Sequence, residues 1–399
     1  MKILRIVYDW PEPWQGLAPH PYEITVAQVK LGHQIDILCG YWPKAGRIVR
    51  PKGVNVIPII REPLPNTIFF TSSVLLFFKY LWWRKRNTCD VIHSHGHFGI
   101  WIYTYRAFLK KFMPWSDELK TPLVVHFHNT AMGRWAAFIE KNKTIKEGSK
   151  KVGWPMAVFS DKKAVEAAAA CIFVSDSNRQ EAIKYYGANP SRCFLVETGV
   201  NTEIFHPVTI EERSKSRHDL DLDEYDKIIL NHGVLNERKN INLLIDAAAL
   251  FPPHYKLLLS GSGDDSYMEK LNEQIKEKGL ESRVMRTGYT PYPQVPITYQ
   301  ISDVFVLPSA WEGLPKAVMQ GLACGIPCLV SGFKLSEEVE GLSYLDKDNL
   351  DPVEIAKRII DMVEHPRKVD VNKIVSLYAW ERRAQEIDQI YVFAKKNYI

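Results

Sequence analysis

Short, continuous apolar runs alternate with amphipathic stretches along most of the chain. The first series of candidate strands is "KILRIVYD" (2–9), "QIDILCG" (34–40), "DVIHSHG" (90–96), "PLVVHFHN" (122–129), "AACIFVSD" (169–176) and "RCFLVETG" (192–199), with a helix near 22–32 ended by Gly32. Strands that read as unbroken apolar runs between helices predict a parallel sheet covered on both faces. Residues 201–227 are polar and charged, and read as an interdomain linker with a short helix. Asp219, Asp221 and Asp223 alternate there, but without the glycine and distal glutamate of a calcium loop. The pattern then restarts, with strands at 227–233, 256–263, 283–289, 303–309 and 327–332 and helices at 240–250, near 266–279 and from 315. The tail, 376–396, reads as one amphipathic helix. The expected organisation is α/β with two doubly wound, Rossmann-like domains, 1–205 and 206–377. A C-terminal helix of about 378–399 should pack back on the first, with Trp380 bridging the two domains. A chain of 399 residues suits two cores better than one.

In doubly wound sheets, ligands bind outside the carboxyl ends of the strands. Two such domains facing each other would aim both sets of strand ends at one cleft. That gives meaning to "VLPSAWEGLPKAVMQGLACGIPCLVS" (306–331), which places Glu312 just past a buried strand and just before a helix. Gly313 lets the backbone approach a ligand closely, and Pro315 suits a first helical turn. The free amides of that turn favour an anion. An acid beside an anion site makes sense for a ligand carrying both phosphate and hydroxyls, as a nucleotide-sugar does.

Composition narrows the class. The chain is 46% apolar and 24% charged with a net charge of +5, ordinary for a globular enzyme and too mild and dispersed for a nucleic-acid binder. The longest basic block is "RKR" at 84–86. Six scattered cysteines, of which only Cys324 and Cys328 are close, read as buried free thiols in a reducing compartment. A strand directly after the first Met and the lack of an 18-residue apolar run lead us to expect a cytoplasmic protein without a membrane span.

Taken together, "DVIHSHG", "VVHFHN", "CIFVSDSNRQEAI", "ETGVNTEIFHP", "HGVLNERKNINLLIDA", "LLLSGSG", "RVMRTGY", "PSAWEGLP…ACGIPCLVS" and "YAWERRAQEI" occur in an order that resembles the family-4 retaining glycosyltransferases of the GT-B fold. The resemblance covers nearly the whole chain. It implies transfer of a sugar from a nucleoside diphosphate to an acceptor, with retention and without a bound metal or other cofactor. It implies that Glu312 holds donor-sugar hydroxyls, and that Gly313, Leu314 and the neighbours of Pro315 face sugar and diphosphate. Lys239 would neutralise the leaving diphosphate, His128 would line the cleft near the sugar, and Gly16 with Leu17 would border acceptor and phosphates. A cation and a helix start are the right stabilisers for charge building on a departing phosphate.

The chain departs from the family pattern in places. The second Glu of the signature, which grips ribose hydroxyls, is Gln320, whose neutral hydrogen bonds are roughly half as strong. The usual Arg after Gly233 is Val234, leaving Arg238 either to replace it or to face solvent. The first-loop glycine pair is reduced to "GLAPHPYE", stiffened by Pro19 and Pro21, and the usual Asn-Gly-Val is "TGV" (198–200). These losses keep open a nucleotide-sugar-binding relic without transfer activity, and, further off, a nucleotide-sugar epimerase.

Two features lie outside that pattern. "NTIFFTSSVLLFFKYLWWRKR" (66–86) is aromatic and then abruptly basic, a pattern that fits either a core helix with a solvated end or a peripheral contact with anionic lipid; "YRAFLKKFMPW" (105–115) repeats the flavour. A lipid-linked or membrane-surface glycan acceptor would follow. His93, His95 and His97 alternate, so on a strand they would share one face, which we read as packing or cleft lining and not as a metal site.

Overall fold

The computed structural model describes every residue except 15, 63, 65, 66, 141–148, 313, 336 and 398–399. The chain forms two units, Met1–Thr198 with Trp380–Ile399, and Gly199–Ala379.

Unit 1 is built on β1 (Lys2–Val7), β2 (Gln34–Tyr41), β3 (Val54–Ile60), β4 (Val91–His95), β5 (Leu123–Phe127), β6 (Ala170–Phe173) and β7 (Cys193–Leu195). Its helices are α1 (Pro19–Lys30), α2 (Ser72–Arg84), α3 (Ile100–Phe112), α4 (Ala131–Glu140), α5 (Trp154–Ala167) and α6 (Asp176–Tyr186). All seven strands are parallel, in the order β3-β2-β1-β4-β5-β6-β7. The central strands β4, β5 and β6 are buried at every position; β5 and β6 accordingly read as near-continuous apolar runs, while β4 buries His93, Ser94 and His95 after Val91 and Ile92. The sequence reading missed β3 because it contains Pro58; the strand lies at the sheet edge, where a missing N–H is tolerated. The predicted strand 192–199 shrinks to the three residues of β7.

Unit 2 holds α7 (Ile210–His218), β8 (Lys227–His232), α8 (Ile241–Ala248), β9 (Tyr255–Ser260), α9 (Asp265–Glu277), β10 (Val284–Gly288), α10 (Pro296–Gln300), β11 (Val304–Leu307), α11 (Lys316–Ala323), β12 (Cys328–Val330), β13 (Leu342–Tyr344), α12 (Pro352–Glu364) and α13 (Val371–Tyr378). Its six parallel strands run β10-β9-β8-β11-β12-β13. The expected linker is not one. Thr209 and Glu212 form a reciprocal cap on α7, and Arg213 and Arg217 reach Asp303 at 2.8 and 3.2 Å, so α7 packs on unit 2.

The tail is two helices. Ala379 is extended and pairs with Val200, whose N–H donates to Tyr378 O at 2.8 Å; α14 (Trp380–Lys396) follows in unit 1. Asp388 on α14 accepts from Gln28 Nε2 (2.8 Å) and lies 2.6 Å from His33 Nε2, fastening the helix to α1 and the turn after it. Trp380 packs edge-on to His20 at 4.8 Å within unit 1. Among the described residues, no helix is long and apolar enough to cross a membrane.

Candidate active site

In unit 2, the loop after β8 is shaped by close backbone approach. Gly233 has φ +119°, and a Cβ there would lie 2.5 Å from Lys239 Nζ. Gly261, after β9, has φ +144°, and its Cβ would lie 1.9 Å from Gly233 O. Only glycine lets these two strand ends meet in that conformation. Lys239 closes a 3₁₀ turn, Glu237–Lys239, and Asn240 in the left-handed region opens α8. Asn240 Nδ2 donates to Pro308 O at 2.8 Å and Ala310 N to Arg238 O at 2.9 Å, tying the loop to the end of β11.

Lys239 is 8% exposed, and its Nζ donates to His232 O at 3.3 Å. Burial lowers its pKa to about 8; Glu312 opposes the shift and Arg238 adds to it. The neighbouring imidazole of His232 is pushed down to about 3 by burial and by Lys239, so it is neutral. Glu312 N donates to Gly332 O at 2.7 Å, which fixes the acid past the strand end. Its Oε1 accepts from Ser309 Oγ (2.9 Å) and lies 2.6 Å from Arg238 Nη1. Arg238 also lies over the Trp311 ring at 4.8 Å and donates to Trp311 O at 2.6 Å. Arg238 is thus the ion-pair partner of Glu312. Val234, at the family's arginine position, is 63% exposed.

Helix α11 starts at Lys316 behind Pro315, with no side chain among the described residues capping its first turn. Leu314 and Pro315 are half-buried there, and Gly313 lies outside the described residues. Gln320 is buried on α11, and its carbonyl accepts from the Tyr299 hydroxyl at 3.2 Å. Lys239, Arg238, Glu312 and the start of α11 thus share the carboxyl side of the sheet. The set offers cations for a diphosphate and an acceptor for hydroxyls.

In unit 1, a cavity of about 580 Å³ opens beside the ends of β1, β4 and β5; Asp9, Leu17, Phe69, His97, His128 and Trp154 are among its walls. Leu17 borders it from the first loop, just after Gly16 (φ +57°), and the loop is pinned by Asp9: Leu17 N donates to Asp9 Oδ2 at 3.2 Å and Arg61 Nη2 holds Oδ1 at 2.8 Å.

His128 belongs to a larger assembly. The rings of His93, His95, His126 and His128 stack with centroids 4.5–5.5 Å apart, and His20 stands edge-on to His128 at 4.4 Å. His95 Nδ1 and His128 Nε2 are 3.1 Å apart, and His93 Nδ1 is 2.5 Å from the Tyr391 hydroxyl. Burial, reinforced by neighbouring imidazoles and Arg5, holds His93, His95 and His126 well below the usual histidine range. The strand parity of 93 and 95 continues in 126 and 128, a signal the sequence carried in "VVHFHN". His97 breaks the expected alternation: β4 ends at His95, and His97 sits in a 3₁₀ turn with Nδ1 3.0 Å from Asp161. Two nitrogen triplets, His20/His95/His128 and His93/His95/His126, each fall within 4.8 Å. Such an all-imidazole set suits a zinc-like ion and not Mg²⁺, which takes oxygen ligands.

Two family descriptions match: "Glycosyltransferase Family 4" over residues 14–204 and "Glycosyl transferases group 1" over 212–374. The chain is 25% identical to an uncharacterised glycosyltransferase, MJ1607, of Methanocaldococcus jannaschii, over 99% of this chain and 98% of that one. It is 23% identical to the D-inositol 3-phosphate glycosyltransferase of Corynebacterium glutamicum, over 92% and 89%. Among solved structures it resembles sucrose-phosphate synthase from Thermosynechococcus elongatus, with TM-score 0.77, 17% identity and 98% of both chains covered. It also resembles Anabaena HepE solved with UDP and glucose, with TM-score 0.72, 16% identity and 98% of both chains covered. With matches running from residue 14 to 374 and both sheets in place, the chain belongs to the family-4 glycosyltransferases and has the GT-B fold.

Proposed function

We propose that this glycosyltransferase moves a hexose, with retention, from a nucleoside-diphosphate donor to a glycan or lipid-linked acceptor, on the cytoplasmic side of a membrane. The observation that carries the reading is the buried Lys239 beside the Arg238–Glu312 pair at the strand ends of unit 2. A cation held in a dry site with its pKa depressed, and in no ion pair among the described residues, is suited to a ligand that brings negative charge. HepE, a structural neighbour, was solved with UDP-glucose, which fits that ligand class.

In this reading the diphosphate lies against Lys239, Gly233 and the amides around Gly313, Leu314 and Pro315. Glu312 Oε2 and Gln320 take hydroxyls of the sugar and ribose. The bond from the sugar's anomeric carbon to the diphosphate breaks, and the acceptor oxygen bonds to that carbon on the same face. The acceptor's proton leaves with the diphosphate. Lys239 stabilises the charge that builds on the leaving oxygen, where a preformed cation is worth most. His128 lines the sugar side, and the Gly16–Leu17 loop borders the acceptor. No metal is required, because Lys239, Arg238 and the helix start supply the positive field.

One observation favours a second reading. Arg238 and Ser309 already engage Glu312 Oε1, and Gln320 is neutral, which would suit a nucleotide-sugar binder that does not transfer. Thermal stability against UDP, GDP, ADP and TDP, each with and without EDTA, tests both. A ligand at one hundred times its dissociation constant adds about 2.7 kcal/mol. A shift with one diphosphate, unchanged by EDTA and accompanied by hydrolysis or transfer of the matching sugar, supports the transferase. A shift without turnover supports the binder, and no shift with any of the four removes the donor assignment.

A further inference from the structure

Helices α2 and α3 of unit 1 each bury one face and leave the other aromatic. On α2, Leu76, Tyr80 and Trp83 are buried, while Leu75, Phe78 and Trp82, spaced three and four apart, are 48, 63 and 45% exposed. That spacing places the exposed three on one stripe. On α3, Ile102, Arg106 and Leu109 are buried, while Phe108 and Phe112 are 52 and 55% exposed and pack on each other at 4.9 Å. Phe77 of α2 meets Tyr105 of α3 at 5.6 Å, so the two stripes belong to one surface. Trp115, just past α3, is 74% exposed. Isolated exposed apolar residues are ordinary, but a contiguous set of this size marks a surface that is covered in use.

Its charge says by what. Neither α2 nor α3 contains an Asp or Glu. Lys79 and Arg86 lie over the Trp82 ring at 4.4 and 4.5 Å, and Lys111 over Phe112 at 5.2 Å. Asp117 and Glu118 follow α3, but Asp117 pairs with Lys120 and Glu118 with Arg84 and Arg106. Aromatic rings rimmed mostly by cations match the headgroup layer of an anionic bilayer, with the rings at headgroup depth and the cations on phosphates. A second copy of the chain is a poorer partner, since a twofold contact through this face would set cation against cation.

We propose that the α2/α3 face docks unit 1 flat on an anionic lipid surface. The approach to α2 links this face to the cavity: Ile68 and Phe69 line it, and Trp101 Nε1 of α3 donates to Phe69 O at 2.7 Å. A lipid-borne acceptor would therefore arrive next to the cavity, a consequence that rests on the transferase reading; lipid docking does not, and either can fail alone.

The test is sedimentation of the full chain with sucrose-loaded vesicles of phosphatidylcholine alone or with roughly one-third phosphatidylglycerol. The variants are Phe78→Ser with Trp82→Ser, and Lys79→Gln with Lys85→Gln and Arg86→Gln. All five side chains lie on the outward side of α2 or just past it, so melting temperatures should match the parent and show an intact fold. Pelleting with the anionic vesicles only, weakened about fivefold per cation removed and lost in the aromatic variant, is expected. Failure to pellet with anionic vesicles overturns the proposal. So does equal binding of the parent and the glutamine variant. A concentration-dependent dimer by light scattering that Phe78→Ser abolishes would give the face to a second copy instead, and also overturns it.

Discussion

Lys239→Met should make the protein more stable and less able to bind a nucleoside diphosphate. The lysine is 8% exposed, and burial lowers its pKa from the ordinary 10.5 to about 8. A drop of that size means that the charged form is disfavoured in the native state by about 3 kcal/mol. Methionine matches the stem in length and carries no charge. It forfeits the hydrogen bond to His232 O, worth about 1 kcal/mol, so a net gain of about 2 kcal/mol at neutral pH is expected. The sign can be checked through pH. The native pKa lies below the unfolded one, so between about 8 and 10.5 the unfolded chain holds more protons and parent stability rises with pH. Below about 8 the penalty is fully present; above 10.5 it is gone. The methionine variant lacks this term, and its advantage should shrink across that window. Scanning calorimetry of both proteins at neutral pH and near pH 10 measures it, because the only tryptophan between residues 199 and 379 is Trp311 and fluorescence would weight the other unit. Methionine that destabilises at neutral pH, or whose advantage persists unchanged at pH 10, would refute the buried-charge account. Loss of the diphosphate-induced thermal shift in the same variant ties the charge to the ligand.

Glu312→Ala frees Arg238 and removes the acid assigned to the donor sugar; transfer kinetics should show kcat/KM lower by about 10- to 100-fold with the melting temperature little changed. Gly233→Ala places a methyl 2.5 Å from Lys239 Nζ at φ +119°, so diphosphate affinity measured by calorimetry should fall and stability should drop by about 1–3 kcal/mol. His93, His95 and His126 have native pKa values far below the unfolded 6.5, so the unfolded state takes up the protons as pH falls and stability is lost from pH 6.5 downward. Each contributes about 1 kcal/mol of loss between pH 6.5 and 5.5, and His126→Phe should flatten the slope of urea midpoints against pH in that range.

Much of this protein was readable from its sequence, because the residues concerned answer to local rules. A strand buried on both faces is mostly apolar, so β5, β6 and the middle of β8 stand out as runs between helices, and a doubly wound sheet follows. Loops at strand ends need glycine where backbones meet, so "HGVLNERKN" and "SAWEGLP" mark their own positions, and Glu312 and Lys239 with them. What the sequence could not decide depends on neighbours far apart in the chain. Arg238 clamps Glu312, 74 positions on, because Asn240 and Ala310 bind the two loops together. Residues 210–218 read as linker because they are charged, yet two of those charges are spent on Asp303. The tail breaks at Ala379 because the backbone there pairs with Val200. The histidine stack is drawn from α1, β4, β5 and the turn after β5, with Tyr391 of α14 closing one end, and burial there is what lowers the pKa values of His93, His95 and His126. Periodicity and glycine placement are properties of a segment; ion pairing, burial and pKa are properties of an environment, and only the folded chain supplies one.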